Sequence, residues 1–282
     1  MKLKQLTPEQ IAIAYKNACM AELQALKPGN VHVFADGHGM TIHDFIKSAD
    51  VTADVIGRAD LTVGERIFYA TEATQQVVGQ NTNLGMLLLC APLIDAALNA
   101  DGMLTFQQSL DEALAQLTIE DARLTAKAIV LANPAGLGDV SQHNVRDEPQ
   151  VTLLEMMQAA QDYDRIAWQY AHAFEDVLKF GAGRYQDAMM KWQNPAWATT
   201  ALYLGLLTRH PDTHVVRKHG QAVADELLNE ALEIEALHWQ SDNPKLVQKH
   251  LLDWDASLKI RGINPGTSAD LTVATLLVTY LS

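Results

Sequence analysis

The chain has 282 residues, 48% of them hydrophobic, enough to fill a sizeable core. Its 34 acidic and 21 basic side chains give a formal charge of −13, which repels nucleic acid and anionic membrane surfaces. Any phosphate site therefore has to be built from local cations, helix N–H groups or a metal ion.

The first ten residues lack the apolar run of a signal peptide. Thr7-Pro8-Glu9-Gln10 reads as an N-cap, a proline at the first helical position and a glutamine at the third, and Ile11, Ala14, Ala18, Ala21 and Ala25 recur at helical spacing. Lys27-Pro28-Gly29 ends that helix, and Val31 to Phe34 looks briefly strand-like but is too short to propose a sheet. Helices are expected near 42–57 and 64–79. Asn81-Thr82-Asn83-Leu84-Gly85 then introduces a nearly unbroken apolar helix from Met86 to Leu98. A helix near 105–131 follows. The longest loop runs from Asn133 to Pro149 and carries Gly136-Leu137-Gly138-Asp139 and His143-Asn144-Val145-Arg146-Asp147. Its length marks it as functional or disordered. After a helix near 151–161, Asp162 and Asp164 flank Tyr163 ahead of one apolar stripe, Ile166, Tyr170, Phe174 and Val177, with His172, Glu175 and Lys179 off it. Beyond a helix near 195–209, the segment Asp212 to Gly220 holds two adjacent cations, Arg217 and Lys218, and two histidines before Gly220. Val223, Leu227, Ala231 and Ile234 mark another helix, 245–260 one more, and Asn264-Pro265-Gly266-Thr267-Ser268-Ala269-Asp270 leads into the last apolar helix, Leu271 to Leu281.

An all-α bundle around the two apolar helices follows, because those helices need partners on every side. No linker, repeat or low-complexity run interrupts residues 1–282, so one domain is expected. The apolar stretches are too short or too interrupted to span a membrane, and Cys19 and Cys90 read as small buried hydrophobes in a reducing compartment, so a cytoplasmic protein is expected.

A buried helix start presents unpaired N–H groups and the positive end of its dipole, which attracts an anion. The alternative for both motifs is capping, by Asn83 or Thr82 in the first and by a Thr267/Asp270 box in the second. Two such motifs, together with Lys27-Pro28-Gly29-Asn30 and the Asp212 segment, stand in an order that resembles the triphosphoribosyl-dephospho-CoA synthase family, in its stand-alone branch. Relative to that pattern, Asn83-Leu84 replaces a histidine and a cation, and Asn144 replaces a carboxylate. Neither a P-loop nor a dinucleotide-binding fingerprint occurs.

The resemblance implies that ATP is a ribosyl donor: an acceptor hydroxyl, of dephospho-CoA or another cofactor precursor, displaces adenine and keeps the triphosphate. A Mg²⁺-dependent nucleotide hydrolase or a nucleotide-binding protein is the competing reading, and release of free adenine separates the two. Transfer needs three phosphates held intact, a stabilised oxocarbenium-like centre and proton transfer at both partners. Candidates for phosphate and substrate binding are Lys27, Asn30, Asn81, Thr82, Asn83, Arg146, Arg217, Lys218, Asn264, Gly266 and Thr267. Glu72 and Asp212 are candidate catalytic carboxylates, and Asp162, Asp164, Asp212 and Asp270 candidate Mg²⁺ ligands. Each has a plainer alternative: Lys27 complementing a helix dipole, Arg217 and Lys218 on a solvated face, Asp162 or Asp164 as a cap, Glu72 as a surface residue.

Overall fold

The computed structural model describes residues 5–100, 103–134 and 148–282. Among these residues are fourteen α-helices and no sheet; the Val31 to Phe34 region forms only the isolated bridges His32 to Ala35 and Gly37 to Met40. In chain order the helices are α1 (Pro8–Gln24), α2 (Ile42–Ile56), α3 (Val63–Val78), α4 (Leu84–Leu98), α5 (Phe106–Ala115), α6 (Ile119–Ala132), α7 (Leu153–Ala160), α8 (Arg165–Ala171), α9 (Ala182–Trp192), α10 (Pro195–Leu207), α11 (Thr213–His219), α12 (Gln221–Gln240), α13 (Gln248–Ile260) and α14 (Gly266–Leu281).

Local chemistry sets many of the starts. At α1 the Thr7 N–H donates to Gln10 Oε1 at 2.9 Å while Thr7 Oγ1 accepts from the Gln10 N–H at 3.3 Å, the reciprocal box read from the sequence. The same box at Thr118 and Asp121 splits the stretch expected as one helix over 105–131 into α5 and α6. The apolar stripe through Phe174 also breaks. α8 stops at Ala171, Ala173 and Phe174 take positive φ of 48° and 58°, and a π-helical turn, Asp176–Gly181, leads into α9. Phe174 remains fully buried, so its place in the stripe reports burial and not helix continuity. The Asp212 segment, expected as a loop, is the two-turn helix α11.

The two apolar helices sit centrally, as their composition requires. α4 packs against α1, α2, α3, α5, α6, α8 and α14, and α14 against α1, α4, α8, α9, α10 and α11. Leu87, Leu89, Leu93 and Ile94 are fully buried, each worth roughly 1.5–3 kcal/mol relative to exposure. The threonines inside α14 satisfy their own hydroxyls: Thr272 and Thr275 each donate to the carbonyl four residues back at 2.8 Å. Cys19 and Cys90 are buried free thiols, and burial pushes Cys19 up to about 12. A smaller apolar cluster joins α10 to α11, α12 and α13, and both α10 and α14 contribute to the two clusters. No helix among the described residues is long and apolar enough to cross a membrane.

Candidate functional site

The packing that centres α4 and α14 also brings their starts together. A cavity of about 860 Å³ opens there, lined by Asn81 to Met86 from one motif and by Asn264, Gly266, Thr267, Ala269 and Asp270 from the other. That volume lies toward the upper end of the roughly 300–1,000 Å³ of small-molecule sites. The end of α1 and the loop after it supply Glu22, Lys27, Asn30 and Val31; α11 supplies His214, Arg217 and Lys218.

Both helix starts already face carboxylates of the chain. Leu84 N–H donates to Asn81 Oδ1 at 3.1 Å, so Asn81 caps α4, not Asn83 or Thr82. Thr82 bonds Ser48 through its hydroxyl, and Asn83 Oδ1 accepts from Thr74 Oγ1 at 3.1 Å while its buried Nδ2 has no partner. Beside that turn lies Asp270: a Cβ added to Gly85 would stand 1.9 Å from Asp270 Oδ2, so only glycine allows the approach. At α14 the Thr267/Asp270 box is absent. Asp212 Oδ2 instead accepts from the Ser268 N–H and hydroxyl, each at 2.8 Å, while its Oδ1 accepts from the His214 N–H at 3.0 Å and the Val215 N–H at 3.2 Å. One buried carboxylate thus caps α11 and ties it to α14.

On the floor, Lys27 is only 1% exposed and forms an ion pair with the equally buried Glu22, donating also to the Val31 carbonyl at 2.9 Å. It is neither an exposed lysine nor a residue of the helix end, since α1 stops at Gln24. Burial lowers the Lys27 ammonium and raises the Glu22 carboxyl, each opposed by the other's charge. Glu22 Oε2 is buried with no hydrogen-bond partner. Burial, and then the charges of Glu22 and Asp212, hold the Asp270 carboxyl well above the usual carboxylate range.

The loop after Lys27 is clamped to the start of α14. Gly29, at φ 88°, donates to Asp255 Oδ1 at 2.8 Å, and Asn30 Nδ2 donates to the Tyr203 hydroxyl at 2.9 Å and to the Pro265 carbonyl at 3.3 Å. Toward the rim, Arg217 donates to Asp164 Oδ2 at 3.2 Å and Lys218 to the Gly262 carbonyl at 3.4 Å. Asp164 Oδ1 caps α8 through Ile166 and Ala167. Thr267 Oγ1 lies 3.1 Å from Thr213 Oγ1 and accepts from the His214 N–H at 3.1 Å. His214 packs on Gly266, and burial together with Arg217 and Lys218 lowers it to about 4, so it is neutral at pH 7. Leu88, Ile129, Met156, Met157 and Ile166 supply an apolar wall of the same cavity.

Several expected residues lie elsewhere. Glu72 is exposed on α3 and Asp162 is exposed; neither lines the cavity. Asp212 does not line it either, because both its oxygens face helix ends. Among the described residues no three His, Cys, Asp or Glu side chains converge, and of the four candidate aspartates only Asp164 and Asp270 line the cavity. Arg146 lies outside the described residues, as does most of the long loop. Glu22 and His38 also line the cavity, although neither belongs to one of the sequence motifs. A signal for Glu22 existed: it continues the stripe of Ile11, Tyr15 and Ala18, where a carboxylate is out of place.

No functionally curated protein matches the chain significantly. A crystal structure from Archaeoglobus fulgidus, assigned as a triphosphoribosyl-dephospho-CoA synthase, superimposes with a TM-score of 0.64 at 22% identity, covering 85% of this chain and 98% of its own, which establishes the shared fold. The family model for CitG, ATP:dephospho-CoA triphosphoribosyl transferase, matches residues 8–282, and the chain therefore belongs to that family of transferases, which move the triphosphoribosyl group of ATP to dephospho-CoA.

Proposed function

We propose that the cavity between the starts of α4 and α14 is where this chain performs triphosphoribosyl transfer, with ATP and the acceptor bound side by side. The carrying observation is the convergence of both motif loops, three cations and an apolar wall on one space. Arg217 and Lys218 at the rim serve the triphosphate, with Asn264 and the Thr267 region beside them. Because the Asp212 carboxylate already caps the start of α14 and the Asp270 carboxyl fills the space beside Gly85 at the start of α4, these cations and not the helix dipoles dominate phosphate binding. The apolar wall takes the base and the thiol-bearing arm of the acceptor. Mg²⁺ enters with ATP as its phosphate complex, in keeping with an ion held mainly by phosphates and water. We read the chain as one domain acting in the cytoplasm, where ATP and CoA precursors are available; the shared helices of its two apolar clusters and its reduced thiols support this.

The test is incubation with MgATP and dephospho-CoA, following adenine by chromatography and the acceptor by mass. The expected result is equimolar adenine and an acceptor heavier by a triphosphoribosyl group. Phosphate release without adenine would overturn the assignment in favour of a hydrolase.

A further inference from the structure

The transfer has to remove a proton from the acceptor hydroxyl and deliver one to the departing base. Two carboxyl groups lining the cavity keep oxygens with no hydrogen-bond partner among the described residues. Glu22 commits Oε1 to Lys27 and leaves Oε2 buried, without a partner, in a residue 1% exposed. Asp270, one helix turn into α14, has no hydrogen bond or ion pair among the described residues and rests against Gly85. Lys27 pairs with Glu22 and not with Asp270.

We propose that Glu22 and Asp270 are the catalytic acid–base pair of the transfer, Glu22 taking the acceptor proton and Asp270 protonating adenine. The inference rests on the proposed placement of the reaction in this cavity. As the hydroxyl oxygen bonds to the anomeric carbon, the bond from that carbon to adenine breaks and its electron pair stays on the base. The hydroxyl proton goes to Glu22 Oε2, and the Asp270 proton goes to a ring nitrogen of adenine. Transfer of the proton from Glu22 to Asp270 then restores the starting state, and the triphosphate is untouched. The charged surroundings fit this division. Burial raises both carboxyls, but at Glu22 the Lys27 ammonium opposes the rise, whereas at Asp270 the charges of Glu22, Asp212 and Asp164 add to it against Arg217, so Asp270 is the better proton holder of the two.

Glu22→Gln alone leaves a buried ammonium unpaired, so the informative variant is Glu22→Gln with Lys27→Met, which removes both charges. This full-length double variant is expected to bind ATP while adenine release falls about 10²–10⁴-fold. Asp270→Asn is expected to lose a similar factor with ATP but to recover with N7-methylated ATP, whose base departs without a proton; the double variant does not recover. Wild-type turnover in the folded double variant, or an Asp270→Asn defect that is the same with both nucleotides, overturns the pair. Independently of any variant, single-turnover adenine release by the wild type must rise and then fall with pH, and a flat profile overturns it too. Absence of adenine release from the wild type would fail the proposed function instead.

Discussion

Asp212 separates a structural from a catalytic role most sharply. Asp212→Ala strips acceptors from four donors: the N–H groups of His214 and Val215 at the start of α11, and the N–H and hydroxyl of Ser268 at the start of α14. A lost cap costs roughly 0.5–2 kcal/mol, and two buried caps on one carboxylate place the sum at about 2–4 kcal/mol. For a chain of this size each kcal/mol corresponds to about 2 °C, so a fall in Tm of about 4–8 °C is expected. Asp212→Asn retains an oxygen for α11 but turns an amide donor toward the Ser268 N–H, so an intermediate loss of about 1–2 kcal/mol is expected. The assay is urea and thermal unfolding beside adenine release by the protein that remains folded. An Asp212→Ala variant that melts with the wild type yet releases no adenine would refute the capping argument and return Asp212 to the role of base.

The cations divide in the same way. Arg217→Ala and Lys218→Ala are each expected to weaken MgATP binding by about 1.5–3 kcal/mol, roughly 10- to 150-fold, with little change in Tm, whereas Lys27→Ala lowers Tm because it strands the buried Glu22; calorimetric titration and melting curves giving equal outcomes at all three sites would contradict this division. His214 and His238 are both held near 4 by burial and nearby cations, against an ordinary 6.5. A depressed folded value means that their contribution is present above pH 6.5 and is lost as pH falls toward 4. The double variant with glutamine at both positions should therefore lose less stability than the wild type between pH 7 and 5, and parallel losses in urea midpoints would refute it.

Much of this architecture was legible in the chain. The Thr7 box, the apolar runs of α4 and α14 and the helical spacing of most other elements are short-range signals, because a helix cap or an apolar face involves residues three or four apart. The same logic required two buried helices with partners all round, and so an all-α bundle. The Thr118 box was equally local, and its four residues mark the break between α5 and α6. What only the tertiary structure decided is who meets whom at the site. Asp212 and Ser268 are 56 residues apart, and Gly29 and Asp255 are 226 apart. Asp270, read locally as the acid of a capping box, instead reaches across to Gly85, while the cap of α14 comes from another helix. Glu22 carries no motif; its isolation and its single cation follow from burial, which depends on everything packed around it. Local periodicity determines which faces must be covered, but the pairing of buried charges is settled by the low-dielectric interior that long-range packing creates.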